Sequence, residues 1–344
     1  MLDSSEPLMN VHLAVPDLIW PDRDSRAAAD PGRFVALETL LARGRRSSSA
    51  AAGFEQWLLA AWQTTGPAPH ALLADGGVPD DGWWLRADPC SLRLNRETVV
   101  PLDATMFELS RTEADALAGH LNRQLADRGL AFHPLQPERW YLRTATPLGQ
   151  NAPPLAVARG KAVDVHPGAG GEEARLHALA NEIQMLLHDH PVNEARERRG
   201  EPPINAVWLW GGGRLERTAA RPFQRVRGQD PLAAGLALAS GAAALPLPEG
   251  AARWLRGSSN EGVELIVLDA LRTPAAYGDA ATWGERLATL ERDWFAPLAG
   301  ALRQGRIGMV TLHAIGAASA FDVETTRQDL RYFWRRPRPL ASYA

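Results

Sequence analysis

The sequence predicts an α/β protein: a mostly parallel sheet sandwiched by helices and interrupted by a smaller α+β lobe. Two observations carry this. Beyond residue 173, near-continuous apolar runs (INAVWLW, VELIVLD, RIGMVTLH) alternate with helical patterns such as ATWGERLATLERDWF. Strands that are apolar along their whole length belong to sheets covered on both faces. Residues 82–145 break that rhythm with short strand signals around one helix, between the Pro/Gly-rich stretches PAPHALLADGGVPDDG and PLGQNAPPLAV. The 344 residues, 45% hydrophobic, accommodate a discontinuous core at 1–78 and 173–344, with the inserted lobe and its linkers at 79–172.

In chain order, VHLAVP at 11–16 is the first strand, and FVALETLLARG and FEQWLLAAWQ have helical apolar spacing, with RRSSSAAAG between them read as a loop. In the lobe, GWWLRAD, SLRLN, ETVVPL, GLAFHPL and RWYLRTA carry strand signals. Its helix is well marked. Ser110 and Glu113 in SRTE fit a capping box, in which each side chain satisfies an otherwise free amide, and Ala114, Leu117, Leu121 and Leu125 follow at helical spacing. After a loop at HPGAGG, the helix EARLHALANEIQMLLHDH presents Leu176, Leu179, Ile183 and Leu186 on its apolar face. The carboxyl end, RYFWRRPRPLASYA, is dense in arginine and aromatic residues. It reads as a packed aromatic turn with a frayed basic tail, or as a segment that docks a protein partner.

Composition excludes several classes. A net charge of −3 and a pI near 6.3 imply no broad attraction to nucleic acid or to an anionic membrane. The amino terminus shows no charged start followed by an apolar run, and no stretch of 18 apolar residues occurs, so the expected location is the cytoplasm. The single cysteine, Cys90, excludes an intramolecular disulfide and a cysteine-based zinc knuckle. Lys161 is the sole lysine; it follows Gly160 without the earlier glycine that a phosphate-binding loop requires, and a Schiff-base enzyme would depend on it alone.

The densest set of polar groups lies in HDHPVNEARERRGEPPINAVWLWGGG, from His188 to Gly213. His188 and His190, two residues apart, fall on different sides of a helix unless the chain unwinds before Pro191. His190 and Asn193 are equally placed to bond the chain across a helix end. A strand that ends in consecutive glycines lets backbone amides approach a ligand at a sheet edge, and Arg214 and Arg217 add guanidinium donors for a phosphate or carboxylate. A tight turn would use the same glycines. The candidate pocket for a small anion is therefore His190, Asn193, Asn205, Trp210, Gly211, Gly212, Gly213 and Arg214.

This segment resembles one in archaeal-type cofactor-independent phosphoglycerate mutases, where a similar HPVN, an Arg/Gly-containing turn, a strand and a WG-x-G or RG-x-G loop follow in order. The layout is also similar to that of bacterial RpfE-type regulatory proteins. The match extends more thinly to WWLRADPCSLRLNRETVVPLDATMFELSRTEADALAGHLN and NEIQMLLHDHPVN. The resemblance implies an alkaline-phosphatase-like core with an inserted lobe. For the mutases it implies two divalent metals, such as manganese, held by Asp and His residues, and a Ser or Thr nucleophile.

The matching positions depart from that pattern. VELIVLD runs into ALRTPAAYGD without a histidine, and the next strand ends in LHAIGAASA, with His313 but no aspartate before it. Asp17 stands where the first metal ligand is expected, but Leu18 replaces the glycine that follows it in the family. Nothing beside Ser47, Ser48 and Ser49 marks a nucleophile. The resemblance with these departures implies a non-catalytic regulatory or ligand-binding protein, with no catalytic residue assigned, no metal and no cofactor. One alternative is an active metal-dependent phosphoglycerate mutase or related phosphotransferase with rearranged ligands. The other is a protein–protein interaction module that uses the basic tail and some of the twelve tryptophans.

Overall fold

The computed structural model describes residues 9–21, 32–49, 53–95, 98–149, 152–163, 171–216, 220–257 and 262–343, so Arg217 and most of HPGAGG lie outside the described residues. In chain order the strands are β1 (Asn10–Pro16), β2 (Arg45–Ser49), β3 (Trp83–Asn95), β4 (Thr98–Leu102), β5 (Ala131–Gln136), β6 (Arg139–Thr144), β7 (Ala206–Gly213), β8 (Arg225–Arg227), β9 (Ala243–Leu245), β10 (Val263–Val267), β11 (Met309–Ile315) and β12 (Ala320–Thr326). The chain divides into two compact units, Met1–Gln63 with Thr218–Ala344, and Thr64–Arg217.

The discontinuous unit is built on a sheet of order β2-β12-β11-β1-β10-β8-β9. From β11 through β9 every pairing is parallel, whereas β12 runs antiparallel to both neighbours. Because side chains alternate along a strand, each apolar run feeds two cores. Val11, Leu13 and Val15 join Ile266, Val310 and Leu312 on one face, with Leu37 and Leu40 of the helix Val35–Arg43, Leu287 of Ala280–Leu290 and Leu298 of Ala296–Gln304. Ala14, Leu265 and Val267 join Leu58 and Trp62 of the helix Phe54–Trp62 and Leu232 and Leu236 of Pro231–Ala239 on the other. Each of these fully buried Leu or Ile side chains contributes roughly 1.5–3 kcal/mol. This two-faced burial is why the runs read as continuously apolar.

Arg45–Ser49, expected as a loop, is instead the edge strand β2, paired with β12. An edge strand takes its stability from backbone bonds on one side and leaves its side chains in water, so RRSSS shows no hydrophobic alternation.

The second unit, 64–217, carries an antiparallel sheet in the order β4-β3-β6-β5, with β7 added alongside β3. Here the expected topology needs correcting. INAVWLW forms β7, which is antiparallel to β3 and does not belong to the parallel sheet. The helix Gly171–His188 packs on the same unit: Leu176, Leu179, Ile183 and Leu187 share a core with Leu117, Leu121, Trp140, Val207 and Leu209. The lobe boundaries therefore fall at 64 and 217, whereas the Pro/Gly stretches had suggested 79 and 172. Leu187, not Leu186, is the last buried residue of that helix. The capping box is present: Ser110 accepts from the Glu113 backbone and Glu113 accepts from the Ser110 backbone, opening the helix Arg111–Gln124. GWWLRAD and SLRLN merge into one 13-residue strand, β3.

Candidate functional site

The eight residues of the candidate anion pocket all lie in the 64–217 unit, and most are bound to its own backbone. His190 caps the helix Pro191–Arg198, its Nδ1 accepting the Val192 amide at 3.2 Å. Asn193, 1% exposed, donates from Nδ2 to the Leu187 and Ile204 carbonyls at 2.7 and 2.9 Å and accepts the Ile204 amide at 2.8 Å. Asn205 exchanges two bonds with the Leu92 backbone, 2.7 and 3.0 Å. Trp210 Nε1 donates to Asp88, which pairs with Arg86 in the interior of the unit.

The three glycines explain themselves by packing. A Cβ on Gly213 would stand 2.4 Å from Gly66 Cα, one on Gly212 would stand 2.7 Å from Trp83 Nε1, and Gly211 adopts φ +67° against Pro67. These glycines are not a loop but the end of β7, and the space over them is filled by the unit's own atoms. Of the eight residues only Arg214 is exposed.

The charged groups of the other unit gather at the carboxyl edge of the parallel sheet, where open α/β sheets bind ligands. Asp17 follows β1 in a left-handed conformation, φ 55°, Asp230 lies beyond the end of β8, and Asp269 follows β10. Asp230 caps the helix Pro231–Ala239 through the Ala233 amide, and Glu55 begins the helix that starts at Phe54. Arg272 reaches this set from the short turn after β10, its amide bonded to the Asp269 carbonyl at 3.0 Å. Its Nη2 donates to Glu55 Oε1 at 2.6 Å, its Nη1 lies 3.8 Å from Asp230 Oδ2, and its guanidinium sits 4.9 Å from the Phe54 ring centroid. Burial opposes the Arg272 charge, but Glu55 and Asp230 outweigh it and raise its pKa. Burial pushes Asp230 up to about 6 against the pull of Arg272, with Glu55 and Asp269 adding to the rise.

On the face covered by the helix Phe54–Trp62 lies a second polar chain. His12 Nδ1 is 2.9 Å from His313 Nε2, and His313 Nδ1 is 2.7 Å from Asp322 Oδ1. With the imidazoles neutral, one order satisfies both contacts: His313 donates to Asp322 and accepts from His12. The rings of Trp57 and Phe223 pack on this pair, and burial followed by the neighbouring His313 lowers the His12 pKa to about 4. Ser47 and Ser48 lie at a cleft of about 500 Å³ beyond the end of β11, with Arg46, Gly316 and Phe321.

The fold so assembled is of the α/β class, a mostly parallel sheet covered by helices on both faces and joined to an antiparallel lobe. No family model matches the chain. It is similar to a 2,3-bisphosphoglycerate-independent phosphoglycerate mutase from Methanosarcina acetivorans, 25% identical over 268 residues, covering 72% of this chain and 66% of that protein. A second such mutase, from Methanothermobacter thermautotrophicus, is 31% identical over 138 residues, 39% of this chain and 33% of that protein. The chain thus matches just under two thirds of the first relative's length and about a third of the second's. A solved structure from Pyrococcus horikoshii shares the fold, with a TM-score of 0.56, 11% identity and coverage of 93% of this chain and 88% of that one.

Such a scaffold raises the question of two metal ions, and the donor set does not fit them. Among the described residues no three His, Cys, Asp or Glu side chains are grouped to hold a metal ion. At the carboxyl edge Arg272 faces Glu55 and Asp230, and the imidazole of His313 is bonded to Asp322 and His12. Cys90 is fully buried, and burial pushes its thiol pKa up. Among the described residues no helix is long and apolar enough to cross a membrane.

Sequence reasoning had placed Asp17 and His313 but missed His12, Glu55, Asp230, Arg272 and Asp322. The signal was faint. Each is a single charged or polar residue inside or beside an apolar element: His12 within NVHLAVP, Asp230 before Pro231, and Arg272 three residues beyond the strand-ending Asp269.

Proposed function

We propose that this chain is a non-catalytic protein on a phosphoglycerate mutase-like scaffold, acting in regulation or ligand binding as the RpfE-type layout suggests. One observation carries the reading: at the edge where the strand-end carboxylates meet, Glu55 and Asp230 face an arginine. Phosphoryl transfer on such a scaffold needs concentrated positive charge at the reacting phosphate, and here the fixed cation is already neutralised by the chain's own carboxylates. A coupled phosphoglycerate mutase assay on the full chain with added manganese tests this. Background turnover is the expected result, and turnover above background that is lost on replacing Asp17 with Asn would overturn it.

A small-anion role for the Gly211–Arg214 stretch at the end of β7 would rest on Arg214, since the other positions are packed or hydrogen-bonded. A second reading, a module that holds a protein partner, is favoured by one feature: Phe333 and Trp334 are 75% and 63% exposed beside Arg335 and Arg336. Isolated patches of this kind on a monomer commonly mark contact sites. Replacing both aromatics with Ser, with folding intact, is expected to remove partner recovery in a pull-down; unchanged recovery would sink that reading.

A further inference from the structure

We infer that Arg272 is the resident cation of the carboxyl edge: its guanidinium lies where a divalent ion bridging Glu55 and Asp230 would have to sit, and the edge takes up no such ion while Arg272 is in place. The inference deepens the reading above, but its test does not depend on turnover.

The geometry carries it. Divalent ions bind carboxylate oxygens at about 2.0–2.6 Å, and the Arg272 nitrogens already stand 2.6 Å from Glu55 and 3.8 Å from Asp230. Asp17 and Asp269 add negative potential at the same edge, acting on Arg272 and Asp230 respectively. Glu55, Asp230 and Arg272 are each no more than 12% exposed in their side chains. Buried carboxylates need a partner charge, and a guanidinium supplies it permanently, because it does not lose its proton in proteins. Its hold is covalent and local: the Asp269 carbonyl fixes the backbone, and the Phe54 ring flanks the charged head. A dissociable metal has to displace a tethered competitor.

Two measurements on the full chain test this. Manganese titrated into the wild-type protein, followed by electron paramagnetic resonance of free ion, is expected to stay free up to millimolar concentration. Saturable uptake of one or more ions per chain that is abolished by Glu55→Gln overturns the inference. In the second, Arg272→Met is expected to lower the melting temperature by about 5 °C or more, and Glu55→Gln in that background to recover part of the loss, because it removes the stranded charge. A double variant no more stable than Arg272→Met alone, or an Arg272→Met protein as stable as wild type, overturns it. If Arg272→Met fails to fold, the double variant still decides, since recovery of a folded protein is the expected outcome. Manganese bound through Glu55 without turnover would end this inference and leave the non-catalytic reading intact; turnover without manganese bound there would do the reverse.

Discussion

His12 and His313, 301 residues apart in the chain, meet at 2.9 Å between Nδ1 and Nε2 on adjacent parallel strands. His12 Nδ1–H donates in this contact, because the Nδ1–H of His313 is directed at Asp322 and its Nε2 accepts. Burial and the neighbouring ring hold the His12 pKa at about 4, below its ordinary 6.5. In the unfolded chain His12 takes up its proton as pH falls through 6.5, whereas in the folded chain it does so only near 4. Its contribution to stability is therefore complete above pH 6.5 and is lost as pH drops toward 4, on the order of 3 kcal/mol in all. Urea melts at pH 7, 5.5 and 4.5 are expected to show this loss, and His12→Gln to flatten the curve over that window.

Asp230 acts with the opposite sign. Its folded pKa is about 6, above the ordinary 3.8, so its protonated form is favoured by folding. That contribution is full below pH 3.8 and is lost as pH rises through about 6. Asp230→Asn keeps a capping oxygen for the Ala233 amide, so the stability difference between this variant and wild type is expected to shift in the variant's favour from pH 4 to pH 7. Paired thermal melts at those two pH values measure it; a difference that stays constant would contradict the assignment.

Asn193 joins the end of one helix to the start of β7 through three bonds with the Leu187 and Ile204 backbone. Asn193→Ala strands those buried groups and is expected to destabilise the protein by about 2–4 kcal/mol. Asn193→Asp is expected to be at least as damaging, since it turns a carboxylate oxygen toward two carbonyls. Denaturant midpoints compare the pair, and near-wild-type stability for either would count against a structural role.

Gly213 lies against Gly66 so closely that any side chain displaces backbone. Gly213→Ala is expected to lower stability by roughly 1–3 kcal/mol with no loss of phosphate binding attributable to the strand end. Gly212→Val, which drives into Trp83, is expected to do more. A Gly212→Val protein that melts like wild type but has lost a phosphate-binding isotherm would restore the strand end as an anion cradle.

The parts of the architecture legible in the sequence were those with local causes. The capping box around Ser110 and Glu113 declares its helix within four residues, and the apolar runs at β10 and β11 declare a sheet covered on both faces. The placement of β7 was not legible: AVWLW is apolar whether its neighbours run parallel or antiparallel, and only the register of Asp88 against Trp208 and Cys90 against Ala206 decides. The candidate site was still less legible. Glu55 and Arg272 lie 217 residues apart and belong to no recognisable spacing; their pairing exists only once the helix start at Phe54 and the turn after β10 are brought to one edge. The conspicuous HDHPVN and WLWGGG letters, by contrast, serve helix capping and close backbone packing.

The central claim, that this mutase-like scaffold does not catalyse, is tested most directly by incubating the purified full chain with 3-phosphoglycerate and manganese and following 2-phosphoglycerate by phosphorus NMR. No conversion beyond the protein-free control is the predicted result. Steady conversion that scales with protein concentration and is lost with Asp17→Asn would contradict the account.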